Sequence, residues 1–593
     1  MAETAAKVDL LIKNAVVWDG TALTGDSTVA VGDGKILAVG GSALAAEYLS
    51  GDVTVIDAAG GLITPGFADA HNHNAFGGIE RNACDLTDCS NAAEALAKIA
   101  AYADANPDVE WIVGGGWRMP WFDGGTPLRG QLDEIVPDRP VYLLNADHHG
   151  AWANTRALEI ARITAETPDP LDGRIERETD GYPAGTLQEG ATAYITPVLP
   201  EYTAEVIRAG ILAGEKYLFE CGVTAWQEAI LGDYGGYPDV TPVYSEMADR
   251  GELTGRATGA LWVSRDFDQM SIAEYVADLK ARRSRYARDN FQLDHIKIMV
   301  DGVQENGTAA LSDPYLELAT GGDGAAGAGE TGGAGAGETG GAGAVEAGGA
   351  SAAGKSGGSH DCECAPNTGL AYFSREDLIE LVPLLNEAGF DAHFHAIGDR
   401  AVKYALDALA AVPAELRDKR QNHIAHLHVV DPVDIPRFSE LGVRANIQSL
   451  WACQDEMMRE LTFPTLGSER IRWQYPFGAL AEAGATLVSG SDWPVSTPDP
   501  WQAIHVAVNR TEPGEEPGEP LNPEQALTLE QALRAYTHES AKLLRVSGGR
   551  IAVGEQADLA LADTNPFANP AEKLWQTKNV LTVVNGRVVY RAA

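Results

Sequence analysis

The stretch Leu62-Ile63-Thr64-Pro65-Gly66-Phe67-Ala68-Asp69-Ala70-His71-Asn72-His73 is an apolar run that ends in two imidazoles two positions apart. In an extended strand, residues i and i+2 point to the same side, so His71 and His73 can grip one cation together. Such a pair also arises by chance in cores and on surfaces, and its meaning depends on the rest of the chain. Three later strand-like runs deliver His or Asp just before a Gly or Pro, as a strand-to-loop exit does. They are Phe390-Asp391-Ala392-His393-Phe394-His395-Ala396-Ile397-Gly398-Asp399, His423-Ile424-Ala425-His426-Leu427-His428, and Ala485-Thr486-Leu487-Val488-Ser489-Gly490-Ser491-Asp492-Trp493-Pro494. Before them, Asp294-His295-Ile296-Lys297-Ile298-Met299-Val300-Asp301-Gly302 sets a lysine in the middle of an apolar strand. A buried, unpaired ammonium is costly, so Lys297 must be paired, exposed or chemically changed.

The run ending at His71 is the first of eight strand-like segments. The others are Val223 to Trp226, Ala257 to Trp262, His295 to Val300, Asp391 to His395, His423 to His426, Val443 to Gln448 and Thr486 to Asp492. Helical patterns separate most of them, and the last helix opens on a capping box at Thr528 and Gln531. Eight such units suggest an α/β fold of the (β/α)8 type, with its chemistry at the carboxyl ends of the strands. Short β-rich runs flank this middle, one set around Asp33-Gly34 and the other around Asn585-Gly586, both hairpin signals.

Two insertions interrupt the repeat. Residues from about 74 to 215 suffice for a lobe capping the site and hold Trp117, Trp121, His149, Trp152 and Glu189. Residues 321–360 are almost entirely Gly, Ala, Glu and Ser. That composition buries too little apolar surface to fold, and it reads as a flexible rim loop whose deletion leaves metal binding intact.

The 593 residues carry a formal charge of −41, from 85 acids against 44 basic residues. Such self-repulsion argues against nucleic acid or an anionic membrane surface as partner. No run of about eighteen apolar residues is present to span a bilayer. The start, Met1 to Asp9, lacks a basic segment followed by an apolar one, which makes the cytoplasm the expected location. The 6 cysteines in so long a chain do not form a disulfide framework. His360-Asp361-Cys362-Glu363-Cys364 reads as a reduced tail of the insertion rather than a metal site.

The order His-Xaa-His, Lys, His, His, Asp resembles the amidohydrolase superfamily in its binuclear form with a carboxylated lysine. Gly114-Gly115-Gly116-Trp117, Asp147 to Asn154, Asp313-Pro314-Tyr315 and His395 to Val402 look like the branch that contains N-substituted formamide deformylase and the YtcJ-like proteins. The resemblance covers nearly the whole chain apart from the Gly/Ala-rich insertion. It implies a TIM-like barrel over 65–547 and a small β-sandwich domain built from segments 1–64 and 548–593.

The resemblance makes His71 and His73 ligands of one metal and His395 and His426 ligands of the other. Lys297, as a CO2-derived carbamate, bridges the two, and Asp492 binds the first metal and shuttles the proton. Spacing alone leaves His393 open against His395, and His428 against His426; the family motif selects His395 and His426. Imidazole, carboxylate and carbamate ligands suit two divalent ions per subunit, zinc first, with manganese, cobalt, nickel or iron also compatible. Trp117, His149, Asp301 and His428 are the expected substrate contacts. Ala425, His428 and His148 depart from the branch, which usually has an acid, Gln and Gly there.

The implied reaction is hydrolysis of a non-peptide C–N bond through a metal-bridging hydroxide, on an N-substituted formamide or similar small amide. A cyclic amide, carbamate or ester hydrolase would use the same site, and a non-catalytic regulatory or binding protein would use the same scaffold. The expected partner is a small-molecule substrate, and a homo-oligomer is compatible with the superfamily.

Overall fold

The computed structural model describes residues 7–48, 53–122, 125–146, 148, 150–170, 173–234, 237–264, 270–305, 307–316, 366–516 and 518–592. At its centre eight strands form one sheet in chain order. They are β1 (Phe67–Asn72), β2 (Val223–Leu231), β3 (Arg256–Trp262), β4 (Phe291–Met299), β5 (Asp391–Ala396), β6 (His423–His426), β7 (Arg444–Ile447) and β8 (Thr486–Ser489). Each neighbouring pair from β1 to β8 is parallel. The two ends of the sheet meet just past the strands, where Asp492 N–H donates to His71 O at 2.8 Å and His73 N–H to Trp493 O at 2.8 Å. The result is barrel-like, and the strands are buried almost throughout, as expected of parallel strands covered by helices.

Five of the eight strands lie close to their sequence positions, β4 begins earlier than His295, at Phe291, and two differ in a useful way. β2 runs five residues past Trp226 to Leu231 and is buried along its whole length, which carries Glu228 inside. β8 stops at Ser489; Gly490 N–H still donates to Ile447 O at 3.1 Å, and Ser491 and Asp492 then leave the ladder, with Asp492 at φ 55°. The capping box at Thr528 and Gln531 is present, each side chain closing the other's backbone N–H.

The chain ends meet in two small sheets. One orders Lys35–Gly40, Thr28–Gly32, Leu10–Lys13 and Thr54–Asp57; the other orders Val16–Val17, Leu62–Pro65, Leu559–Ala562, Asn579–Val584 and Arg587–Arg591. Leu10, Ile12, Val29, Ile63, Leu559 and Val583 share one apolar core between them. The hairpins turn at Asp33-Gly34 (φ 51° and 73°) and Asn585-Gly586 (φ 50° and 73°), the paired positive φ of a type I′ turn.

The insertion after β1 builds a six-stranded sheet with two apolar clusters of its own. Segment 321–360 and His360 to Cys364 lie outside the described residues. Among the described residues, no helix is long and apolar enough to cross a membrane.

Candidate metal centre

The carboxyl ends of β1, β4, β5, β6 and β8 bring six polar side chains to one place. His71, at the end of β1, is 1% exposed, and its Nε2 lies 3.4 Å from Asp492 Oδ1 and 3.2 Å from Lys297 Nζ. His73 Nε2 lies 3.1 Å from the same Asp492 oxygen. His426 Nδ1 is 3.9 Å from Asp492 Oδ2, and the His395 and His426 rings are 4.4 Å apart. One ligand atom each from His71, His426 and Asp492 falls within a 4.8 Å group.

Local structure explains the convergence. Gly490 is required beside β1, since a Cβ there would come within 2.5 Å of His71 Cβ. His426 (φ 80°), Leu427 (φ 54°) and Asp492 (φ 55°) are non-glycine residues in the left-handed region, which turns the chain off the ends of β6 and β8. Gln448 Oε1 accepts the His426 N–H at 2.7 Å, and Asn446 Nδ2 donates to Ala70 O at 3.0 Å, tying β7 to both neighbours of the site. Asp69 takes N–H bonds from Ser491 and His71 and the Asn72 amide, locking β1 to the loop after β8. Burial pushes Asp69 up to about 6 against those bonds.

The charges are set by the same packing. Burial pushes the Lys297 ammonium down to about 7, against the pull of Asp492. Burial alone would raise Asp492, but His73, Lys297 and His395 outweigh it and hold the carboxyl below its ordinary value. Burial also drives His71 and His426 well below the usual imidazole range, so both rings are neutral. Neutral imidazoles, an ionised carboxylate and an amine poised near neutrality make a donor set for a divalent cation. Neither ring nitrogen of buried His426 has a hydrogen-bond partner among the described residues, a cost that a cation bound at one of them would reduce. The residues present therefore fit a metal.

The wall beside His426 is aromatic. Trp451 stacks on the His426 ring at 5.3 Å with 8° between planes, and His428 sits between Trp451 and Tyr475. Burial pushes His428 down to about 3, so it too is neutral.

Residues 54–590 match the amidohydrolase family model. The chain belongs to the amidohydrolase family. It is 26% identical over 577 residues to the putative amidohydrolase YtcJ of Bacillus subtilis, covering 95% of this chain and 96% of that one. It is 25% identical over 611 residues to N-substituted formamide deformylase of Arthrobacter pascens, with 98% of each chain covered. A solved structure titled an uncharacterized metal-dependent hydrolase from Pyrococcus furiosus has the same fold, with a TM-score of 0.66 at 22% identity over 94% of this chain and 99% of that one.

The amidohydrolase barrel separates the expected substrate contacts. His428 lies in the aromatic wall beside His426. Trp117 does not reach a substrate, because its fully buried ring packs against Phe122 and Trp152 in the lobe core and its Nε1–H donates to Leu143 O at 2.9 Å. Asp301 is also fully buried, its oxygens taken by the N–H groups of Ile397, Gly398 and Ala310 at 2.8 to 3.0 Å. It holds the loop after β5, 3.7 Å from His395 Nε2, and offers a substrate no surface. His149 lies outside the described residues.

Glu228 escapes a reading of the sequence alone. Fully buried on the β2 extension, it accepts the Ala75 N–H at 3.1 Å and the Tyr244 hydroxyl at 2.7 Å, and burial pushes it up to about 7 against the charge of His73. A signal for it exists, since Gln227-Glu228 are amide and acid inside an otherwise apolar run.

Proposed function

We propose that this amidohydrolase-family chain is a binuclear metal-dependent hydrolase of a non-peptide C–N bond, with an N-substituted formamide or similar small amide as substrate. The observation that carries this reading is the buried group of His71, His426 and Asp492, with His426 nitrogens that no described residue satisfies. In this reading His71, His73 and Asp492 would hold one ion and His395 and His426 the other, with a carboxylated Lys297 as a further anionic ligand. Carboxylation needs a neutral amine, and burial that brings Lys297 down to about 7 favours that form. The ions, zinc first, supply an acidified water and polarise a carbonyl when bound.

The chain's own residues do the rest. Asp492 is ionised and bonded to His73, so its carboxylate can take a proton during attack and return it to the departing nitrogen. An amide nitrogen leaves poorly unless protonated, which makes that return the step most dependent on a positioned side chain. His428, Trp451 and Tyr475 form a neutral aromatic wall suited to the apolar substituent of a small amide. The terminal sheets (1–64 and 548–593) serve as a β-sandwich beside the barrel of 65–547, and the small-molecule chemistry suits a cytoplasmic enzyme.

Metal-analysed protein assayed against N-formyl amines, small amides, lactams, carbamates and esters tests the reading. The expected result is turnover of an N-substituted formamide that a chelator removes and zinc restores. Turnover confined to lactams or esters would move the substrate class, and an active protein free of transition metal would overturn the proposal.

A further inference from the structure

Below the metal-facing His71, a column of buried imidazoles runs into the barrel. His71 Nδ1 lies 3.0 Å from His393 Nε2 on β5. The His393 ring is 4.2 Å from that of His423 on β6, and the His423 ring is 5.6 Å from that of His295 on β4. His295 Nε2 then lies 3.8 Å from Asp391 Oδ2, which Arg545 grips from the far end of the barrel. All of these side chains except Arg545 are 1% exposed or less. The proposed reaction uses His71 alone among them.

The direction of the hydrogen bonds is set by groups that can play one role. His423 Nδ1 lies 3.0 Å from the Gln421 carbonyl, which only accepts. In so dry a column each ring carries a single proton, so the His423 proton sits on Nδ1 and its Nε2 is bare. At the other end, His71 Nε2 faces Lys297 and Asp492, and a nitrogen that binds a metal there must offer its lone pair. The His71 proton therefore sits on Nδ1 and is donated to His393 Nε2. The His393 proton is left on Nδ1. Between His71 and His423, His393 Nδ1 and His423 Nε2 lack hydrogen-bond partners among the described residues, one a donor and the other an acceptor on adjacent rings, and both ring nitrogens of His295 are open as well. The leftover polarity matches.

We infer that His393 is a positioning residue that fixes the tautomer and orientation of His71, by accepting from His71 Nδ1 across 3.0 Å. This rests on the metal-centre reading of His71. It also gives a role to a histidine that sequence spacing leaves competing with His395 for ligation: His393 holds a ligand by its second nitrogen, as partners of metal-bound histidines do.

The test uses the full-length protein with His393→Gln, whose amide oxygen can still accept from His71 Nδ1–H, and His393→Leu, which cannot. Zinc affinity is measured by competition with a chromophoric chelator, and long-range 1H–15N spectra of histidine-labelled wild-type protein report which His71 nitrogen is protonated. Expected are a loss of about 10–100-fold in zinc affinity for His393→Leu, a change of no more than about threefold for His393→Gln, and a His71 proton on Nδ1. Wild-type affinity in His393→Leu, or a His71 proton on Nε2 in the wild type, would overturn the inference while leaving the metal centre standing. Wild-type protein that binds no zinc would fail the metal-centre reading itself. If His393→Leu does not fold, the wild-type spectrum and His393→Gln decide.

Discussion

Trp117 in the lobe and His426 at the barrel mouth are equally deep, yet their polar atoms end differently. Trp117 Nε1–H is closed by Leu143 O, Trp152 Nε1–H by Leu128 O at 3.0 Å, and Asn154 by four main-chain groups of Val136, Arg139, Val141 and Ala157. His426 keeps both ring nitrogens without a described partner, on a backbone turned to φ 80°. A buried donor or acceptor left open costs about 1–3 kcal/mol, so a fold keeps one where something else completes it. The lobe is scaffold that stabilises itself, and the mouth is scaffold held short of completion. Aromatic residues near a site are thus poor guides to substrate contact, and open polarity points to a ligand only where other donors converge, as His71 and Asp492 do beside His426, since Thr28 Oγ1 and Trp501 Nε1 are open too.

The sharpest way to break this contrast is at the mouth. Asp492→Asn is expected to lower kcat by about 10²–10⁴-fold while the melting temperature stays close to wild type; near-normal turnover would remove Asp492 from the proton path. Lys297→Met is expected to reduce zinc retained through gel filtration by about half, since the proposed carbamate ligand would be lost. The metal-free variant should melt no lower than wild type, because an apolar chain replaces a buried amine. Unchanged zinc content would rule out that ligand.

In the lobe the expected order reverses, with stability moving and catalysis standing still. Trp117→Ala should cost about 3–5 kcal/mol and Trp117→Phe about 1 kcal/mol in denaturant unfolding. A large rise in KM for folded Trp117→Phe would return the ring to the substrate pocket. A pH-dependent effect is expected at Glu215, buried on Ala204–Glu220 and accepting the N–H groups of Thr254 and Gly255 at 2.8 and 2.7 Å. Burial raises it to about 6 from 4.5, so the folded state holds a proton that the unfolded state releases, and its contribution declines as pH rises from 4.5 through 6. Glu215→Gln should therefore gain about 2 kcal/mol over wild type at pH 7 and nothing at pH 4, as read from unfolding curves.

The barrel is legible in the sequence because parallel strands buried on both faces leave near-continuous apolar runs, and the His, Lys and Asp residues that interrupt them stand out. β2 reads short because Gln227-Glu228 looks like an exit, although the strand continues under cover to Leu231. Trp117 and Asp301 mislead for one shared reason: an aromatic or acid in a suggestive motif gives no sign of whether its polar atoms are already taken by nearby main chain. The hairpins at Asp33-Gly34 and Asn585-Gly586 come through because turn chemistry is local.

Sequence by itself determined the order of the strands, the residue types at their ends and the membership in the amidohydrolase family, because period, composition and motif are written along the chain. Tertiary structure decided that His393 stands behind His71, that His426 approaches Asp492, and which polar atoms stay open. Those outcomes depend on distances of a few ångströms between segments hundreds of residues apart, such as the 3.0 Å from His71 to His393, which only the closed barrel sets.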